Sequence, residues 1–307
     1  MFYETLKRWA QYRDIFAWLY GVGAALLVLA GIVYWNVVSV EPQAVFEGML
    51  AQSLMVNGVS SQVTETVAGT KLQQTVQYVV GSGNMAHGIT VLNQGGTTIK
   101  TELVGNATKT YTKYLAISTD QKTKTGKKFN AASVLDVWAE GQTSDASGTS
   151  SPLLSQAALG FGSPVGSIPV AIGNLMPEQR QALLRQISES EVYQTDYGKV
   201  SKSHQNGHLL YNYAVSVQPI PYLNMLKTFA QDIGMHDLDK LDANTYGGTA
   251  ALQLTLTVDA HSRQLVQVSS QSGYRLTYSG YGIAPHITMP AHAISSGDLQ
   301  KRLSSIE

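Results

Sequence analysis

Residues 15–40 form one uninterrupted apolar segment, fenced by Asp14 and Glu41. Its length, about 26 residues, exceeds the ~20 that a helix needs to cross a hydrocarbon core, so the sequence predicts a single transmembrane signal anchor. Lys7, Arg8 and Arg13 precede the segment, and no Lys or Arg follows it until Lys71. The positive-inside bias then predicts a cytoplasmic tail over 1–14, the anchor over 15–40 and an extracytoplasmic domain over 41–307, a single-pass protein of the cell membrane. A cleavable signal peptide is the rival reading, with Val37 and Ser39 near a weak cleavage site. The apolar run is too long for a signal core of roughly 7 to 15 residues, and Trp18, Tyr20, Tyr34 and Trp35 sit near its ends as interfacial anchors do.

Formal charge is balanced at +0 and charged residues make up only 14% of the chain, so the sequence predicts no nucleic-acid partner. There is no cysteine. Disulfides, thiol catalysis, Cys zinc sites and lipid attachment through cysteine are thereby excluded, and the fold must rest on its apolar core. No metal or other cofactor is predicted. Abundant Ser, Thr, Gln, Asn and Gly suits a prokaryotic cell envelope, as a compositional association.

Pro42 suits the first turn of a new helix, and Val45, Phe46, Met49, Leu50 and Leu54 then repeat at helical spacing. From Val59 the period changes to two. Leu72, Val76, Tyr78 and Val80 share one face of a segment while Lys71, Gln73, Thr75 and Gln77 share the other. Five such segments run to Ile117, including 85–91, 99–104 and 111–117, with turns at Gly69-Thr70, Gly81-Ser82-Gly83 and Gly95-Gly96. A Lys-rich stretch over 122–128 leads to a helix-like run over 131–140, a Gly/Ser loop over 141–151 and an apolar stretch over 153–175. Pro177 then starts a helix with Leu183, Leu184 and Ile187 on its apolar face. Strands are expected again at 191–201 and 209–217, joined through Asn206-Gly207, the strongest short hairpin signal. Pro221 opens a helix that Gly234 ends. A third strand group follows at 252–258, 265–270, 274–281 and around Ile287, and a Ser/Asp-capped helix at 296–306 closes the chain.

Few constellations carry chemistry. His204 and His208 have metal-compatible spacing but straddle the Asn-Gly turn with no third ligand, so they read as exposed hairpin histidines. Asp237, Asp239 and Asp242 lack the Gly and terminal Glu of a calcium loop. His286 and His292 flank Pro290 and read as turn residues. Neither G-x-S-x-G nor S-x-x-K occurs, and Gly160, Gly162 and Gly166 have the wrong spacing for a dinucleotide fingerprint. No catalytic residue is assigned, and the chain is not expected to be an enzyme. The 153–175 stretch leaves so few polar positions that it must be buried or line an apolar cavity. Leu154, Ala158, Phe161, Ile168, Val170 and Ile172 are the cavity-lining candidates it offers.

A leading helix over 45–55, a long strand meander, helices inserted before the final strands, and a late hairpin running from Leu254 through Asp259 to Leu265 and Val266 follow one another here. This order resembles the extracytoplasmic lipoprotein-carrier superfamily, the LolA-like proteins and the mycobacterial LppX/LprG group, over most of residues 45–306. The resemblance implies an α+β fold: a curved, incompletely closed antiparallel sheet, of about eleven strands by the count above, covered by short helices, with an apolar cavity for acyl chains. The mycobacterial members attach through a lipidated cysteine; here the expected membrane helix takes that place. The functional expectation is therefore an envelope protein that binds a membrane lipid or other hydrophobic ligand. The alternative is a structural module with a fully packed core and an envelope protein as its partner.

Overall fold

A computed structural model describes residues 23–29, 31, 41–67, 69–79, 84–106, 109–122, 126, 129–141, 170–234, 238–271 and 273–305. The chain divides into two compact units, Met1–Val45 and Phe46–Glu307. In the first, residues 23–29 are helical, with Leu26, Leu27, Val28 and Leu29 exposed. Helix α1 (Pro42–Ser53) begins in the first unit and continues into the second, and Pro42 occupies its opening turn, where a missing N–H costs nothing.

The transmembrane anchor expected over 15–40 is corrected. Among the described residues no helix is long and apolar enough to cross a membrane. Apart from residues 23–29 and 31, the expected span lies outside the described residues. The single-pass cell-membrane location drawn from that anchor is corrected with it.

In the second unit, alternation of apolar and polar residues makes a meander of β1 (Gly58–Val67), β2 (Thr70–Val79), β3 (Met85–Gln94), β4 (Thr97–Gly105) and β5 (Thr110–Thr119). After the short β6 (Trp138–Glu140) come α2 (Pro177–Glu189), β7 (Tyr193–Thr195), β8 (Ser201–Gln205), β9 (His208–Val217) and α3 (Pro219–Asp232). The chain closes with β10 (Leu252–Asp259), β11 (Leu265–Ser269), β12 (Arg275–Ser279), β13 (Ile294–Ser295) and α4 (Ser296–Ser304). Turn chemistry follows the sequence. Gly95 and Gly96 both have positive φ (52° and 78°), as do Asn206 and Gly207 (51° and 81°), the pattern a two-residue hairpin needs. The Ser295 hydroxyl accepts the Asp298 N–H to cap α4.

All thirteen strands join one sheet in the order β13-β6-β5-β4-β3-β2-β1-β12-β11-β10-β9-β7, with β8 also paired to β9. Every pairing is antiparallel except β13 with β6. The two ends of the order do not meet, so the sheet is not closed. The expected fold class is thus corrected in two respects: the unit is mostly sheet, with thirteen strands among the described residues in place of about eleven, and no described helix is long and apolar enough to cross a membrane. The strands missed are β6 and β13, of three and two residues, too short to display a period, while the strand expected at 191–201 is divided into β7 and β8.

Local differences have local causes. The run at 131–140 is a turn followed by β6, because Asp136 takes a positive φ of 56° and Trp138 to Glu140 pair with β5. The strand expected at 191–201 breaks where Asp196 accepts the Gly198 N–H and starts a 3₁₀ turn, Tyr197–Lys199. No strand forms around Ile287.

The register assigns one continuous face to the core. Tyr213 lies opposite Leu256, Leu256 opposite Val268, Val268 opposite Leu276 and Leu276 opposite Val63. The same face continues through Gln74, Thr90, Thr101 and Tyr114. Helices cover it unevenly. At the start of α3 the Gln218 N–H donates to the Val192 carbonyl, and at its end Asn84 Nδ2 donates to the Ile233 carbonyl at 3.1 Å. α3 therefore crosses from the β7 side of the sheet to the β2–β3 turn. Phe46 of α1 packs edge-on against Tyr193 and tilted against Tyr213, with ring centroids 6.1 and 5.2 Å apart.

Candidate functional site

Burial along this inner face changes with distance from α3. On β9 and β10 it is nearly complete: Tyr211, Tyr213, Val215, Val217, Leu254, Leu256 and Val258 are buried, and Leu252 at the start of β10 is half-buried. On β2, Tyr78, Val76 and Gln74 are buried, whereas Leu72 is only half-buried. On β3, Ala86 and Gly88 are buried and Thr90 and Leu92 are half-buried. The face therefore opens toward the β3–β4 hairpin, away from the turn that α3 caps.

The open end carries an apolar row. Leu72 lies opposite Leu92, Leu92 opposite Ile99 and Ile99 opposite Ile117. Four strands at ~4.8 Å spacing make this row about 14 Å long. Leu115 is a bulge on β5, left without a partner between Tyr114 and Ala116, and it brings both Tyr114 and Ile117 onto the inner face. Beyond Ile117 the row meets a satellite core of Ala131, Val134, Ala139 and Leu299. At its other end, Leu72 lies opposite Glu65, a carboxylate only 2% exposed. Burial, and then the charge of Glu65, pushes the neighbouring Tyr274 phenol upward.

A cleft of about 390 Å³ opens over the middle of the row, at Leu92 and Ile99, within the size of small-molecule sites. Its lining is Leu92, Gln94, Gly95, Thr97, Ile99 and Gln121. Leu92 and Ile99 form an apolar floor. Gln94, Thr97 and Gln121 form a polar lip at the strand ends, and Gly95 leaves the rim without a side chain. The Thr97 and Thr119 hydroxyls share a hydrogen bond of 2.8 Å, and Thr119 Oγ1 also accepts the Gln121 N–H.

Among the residues singled out in the sequence, Val170 and Ile172 are each 1% exposed. Their segment is tied to the end of α1: the Gly173 N–H donates to Ser53, the Val56 N–H to Gly173 and the Leu175 N–H to Leu54. Neither side chain lines the cleft. Leu154, Ala158, Phe161 and Ile168 lie outside the described residues. The signal that identifies the cleft is positional, namely which half of an alternating face the described helices leave half-buried.

The other candidates resolve into structural contacts. His208 Nδ1 is 2.6 Å from Asp259 Oδ2, while His204 is exposed. Asp259 also accepts the His261 and Ser262 N–H groups. Burial pushes its carboxyl up, but the Ser262 amide, His208 and the His261 amide together outweigh this and hold it below the usual value. Among the described residues no serine reaches the other His208 nitrogen. Asp242 accepts the Asn244 N–H, Asp239 accepts from Gln231, and Asp237 lies outside the described residues. His286 and His292 are exposed. No group of three metal-ligating side chains occurs among the described residues. The outer face adds a network that sequence reading missed: Glu102 is 3.0 Å from His87 Nε2 and 2.7 Å from Lys113 Nζ, and Lys113 lies over the Trp138 ring. Lys113 lies opposite Glu102 and Trp138, and His87 diagonally from Glu102, a proximity that only the register reveals.

No protein-family model matches the chain, and no curated protein matches it significantly.

Proposed function

We propose that this protein binds a lipid or comparable hydrophobic ligand on the inner face of its sheet, over the row Leu72, Leu92, Ile99 and Ile117. The observation that carries the reading is the loss of burial along β2 and β3 on a face that is buried from Tyr211 to Val217 of β9 and from Leu254 to Val258 of β10. A half-covered apolar row with a cleft above it gains free energy when a ligand removes it from water, about 25 cal/mol per Å² before ordering costs. The protein acts as a binding protein and not as an enzyme. One antiparallel sheet with helices over one face supports the resemblance to the lipoprotein-carrier superfamily. The ligand site differs from the one expected: it lies on the sheet at the β3–β4 hairpin, not at Val170 and Ile172.

The test uses Nile red, an uncharged hydrophobic dye, with the full chain. The dye's emission should rise on mixing with the native protein, and the rise should disappear in Ile99→Lys, which places a charge on the cleft floor. A native chain that leaves the dye dark, or a variant that takes it up equally, overturns the reading in favour of a protein-interaction module.

A further inference from the structure

The cleft lip is polar without being charged, and this restricts the ligand beyond its having an apolar part. Among the described residues lining the cleft, none is Lys, Arg, Asp or Glu. What the lip presents is two primary amides, Gln94 and Gln121, and the Thr97 hydroxyl, each able both to donate and to accept. Neither glutamine side chain is engaged by another described residue, and both residues are exposed at the rim. The inner-face parity of Leu92, Gln94, Thr97 and Ile99 aims all four into one space. Polar groups therefore stand at the strand ends and apolar groups deeper.

The nearest charges with a defined position do not favour an ion. Asp120 lies against the hairpin turn: a Cβ built on Gly96 would stand 3.3 Å from its Oδ2. That carboxylate repels an anionic head. Lys122, of opposite sign and two residues on, is exposed and not part of the lining. The buried Glu65 sits at the far end of the row from the lip, beyond Leu72. A charged head held at the lip would lose hydration without an opposite charge among the described lining residues, whereas a hydroxylated neutral head exchanges water for amide and hydroxyl partners.

We infer that the ligand is an uncharged amphiphile, with an alkyl chain along the Leu72, Leu92, Ile99 and Ile117 row and a hydroxyl-bearing head at Gln94, Thr97 and Gln121. This rests on the proposed hydrophobic-ligand site and specifies its chemistry. The ligand enters head-last at the Gly95-Gly96 end.

The experiment is displacement of Nile red from the full chain by three amphiphiles of equal chain length, monolauroylglycerol, laurate and dodecylamine, each below its aggregation threshold. Monolauroylglycerol should displace the dye at a concentration about tenfold lower than either ion, equivalent to about 1.4 kcal/mol. Gln121→Lys, at an exposed position that folding does not depend on, should shift the order toward laurate by several-fold. If the dye enters the native protein but laurate or dodecylamine displaces it as well as monolauroylglycerol does, the head-group inference is overturned and the site stands. If the dye does not enter, the site itself fails. An unchanged order in Gln121→Lys also overturns the placement of the head at the lip.

Discussion

The inner faces of β9 and β10 and of β3 and β4 are built by the same two-residue alternation, yet one is buried over nearly its whole length and the other opens toward its hairpin. On β9 and β10 the inward residues are large, and α1 and α3 lie over them. On β3 and β4 the inward residues mix sizes and polarity: Ala86, Gly88, Thr90 and Leu92 against Gly105, Leu103, Thr101 and Ile99. α3 meets this half at its end, where Asn84 donates to the Ile233 carbonyl. Alternation decides which side chains share a face, but the cover over that face decides whether they are core or site.

If the comparison holds, substitutions in the two halves should separate stability from binding. The largest effect is expected at Phe229, fully buried on α3: Phe229→Ala should cost about 3–5 kcal/mol in urea unfolding, while the protein that remains folded still takes up dye. Asp259→Ala comes next, at about 2 kcal/mol at neutral pH, because it strands the Ser262 and His261 amides. Its pH dependence has a defined sign. The folded carboxyl lies below its unfolded value of about 3.9, so its contribution is fully present above that pH and is lost as pH falls through the folded value. Urea titrations of native and variant proteins should therefore converge in acid. Gly173→Ala follows, at about 1–3 kcal/mol, since its Cβ would stand 2.8 Å from the buried Phe229 ring. The smallest effect on stability belongs to the open half: Ile99→Ala should cost about 1 kcal/mol, the worth of a half-buried side chain, yet weaken dye uptake most. A large stability loss at Ile99 with unchanged uptake would break the comparison.

Much of the sheet was legible because its signals are local. The Gly95-Gly96 and Asn206-Gly207 turns, the helix starts at Pro42 and Pro177 and the Ser/Asp cap of α4 each act within a few residues. The α3 start was displaced to Pro219, since two prolines compete for the first turn and the earlier one satisfies it. What could not be read is non-local. Nothing in the sequence pairs β1 with β12, which joins the meander to the later strands in one sheet. The Leu115 bulge, which sets the inward row on β5, breaks alternation by one residue and leaves no turn signal. The apolar stretch at 153–175 drew the expected cavity because apolarity is visible along a chain; that no described helix covers Leu92 and Ile99 is not. The membrane anchor was inferred from the same visible apolarity, and no helix among the described residues is long enough to meet it.

Hydrogen exchange on the full chain, with and without saturating monolauroylglycerol, tests the division of the inner face most directly. Added protection should be confined to peptides covering 92–99 and 117–121, with no change across 211–217 and 254–258, where the face is already sealed. Protection gained in the β9 and β10 peptides, with none at the β3–β4 hairpin, would contradict it.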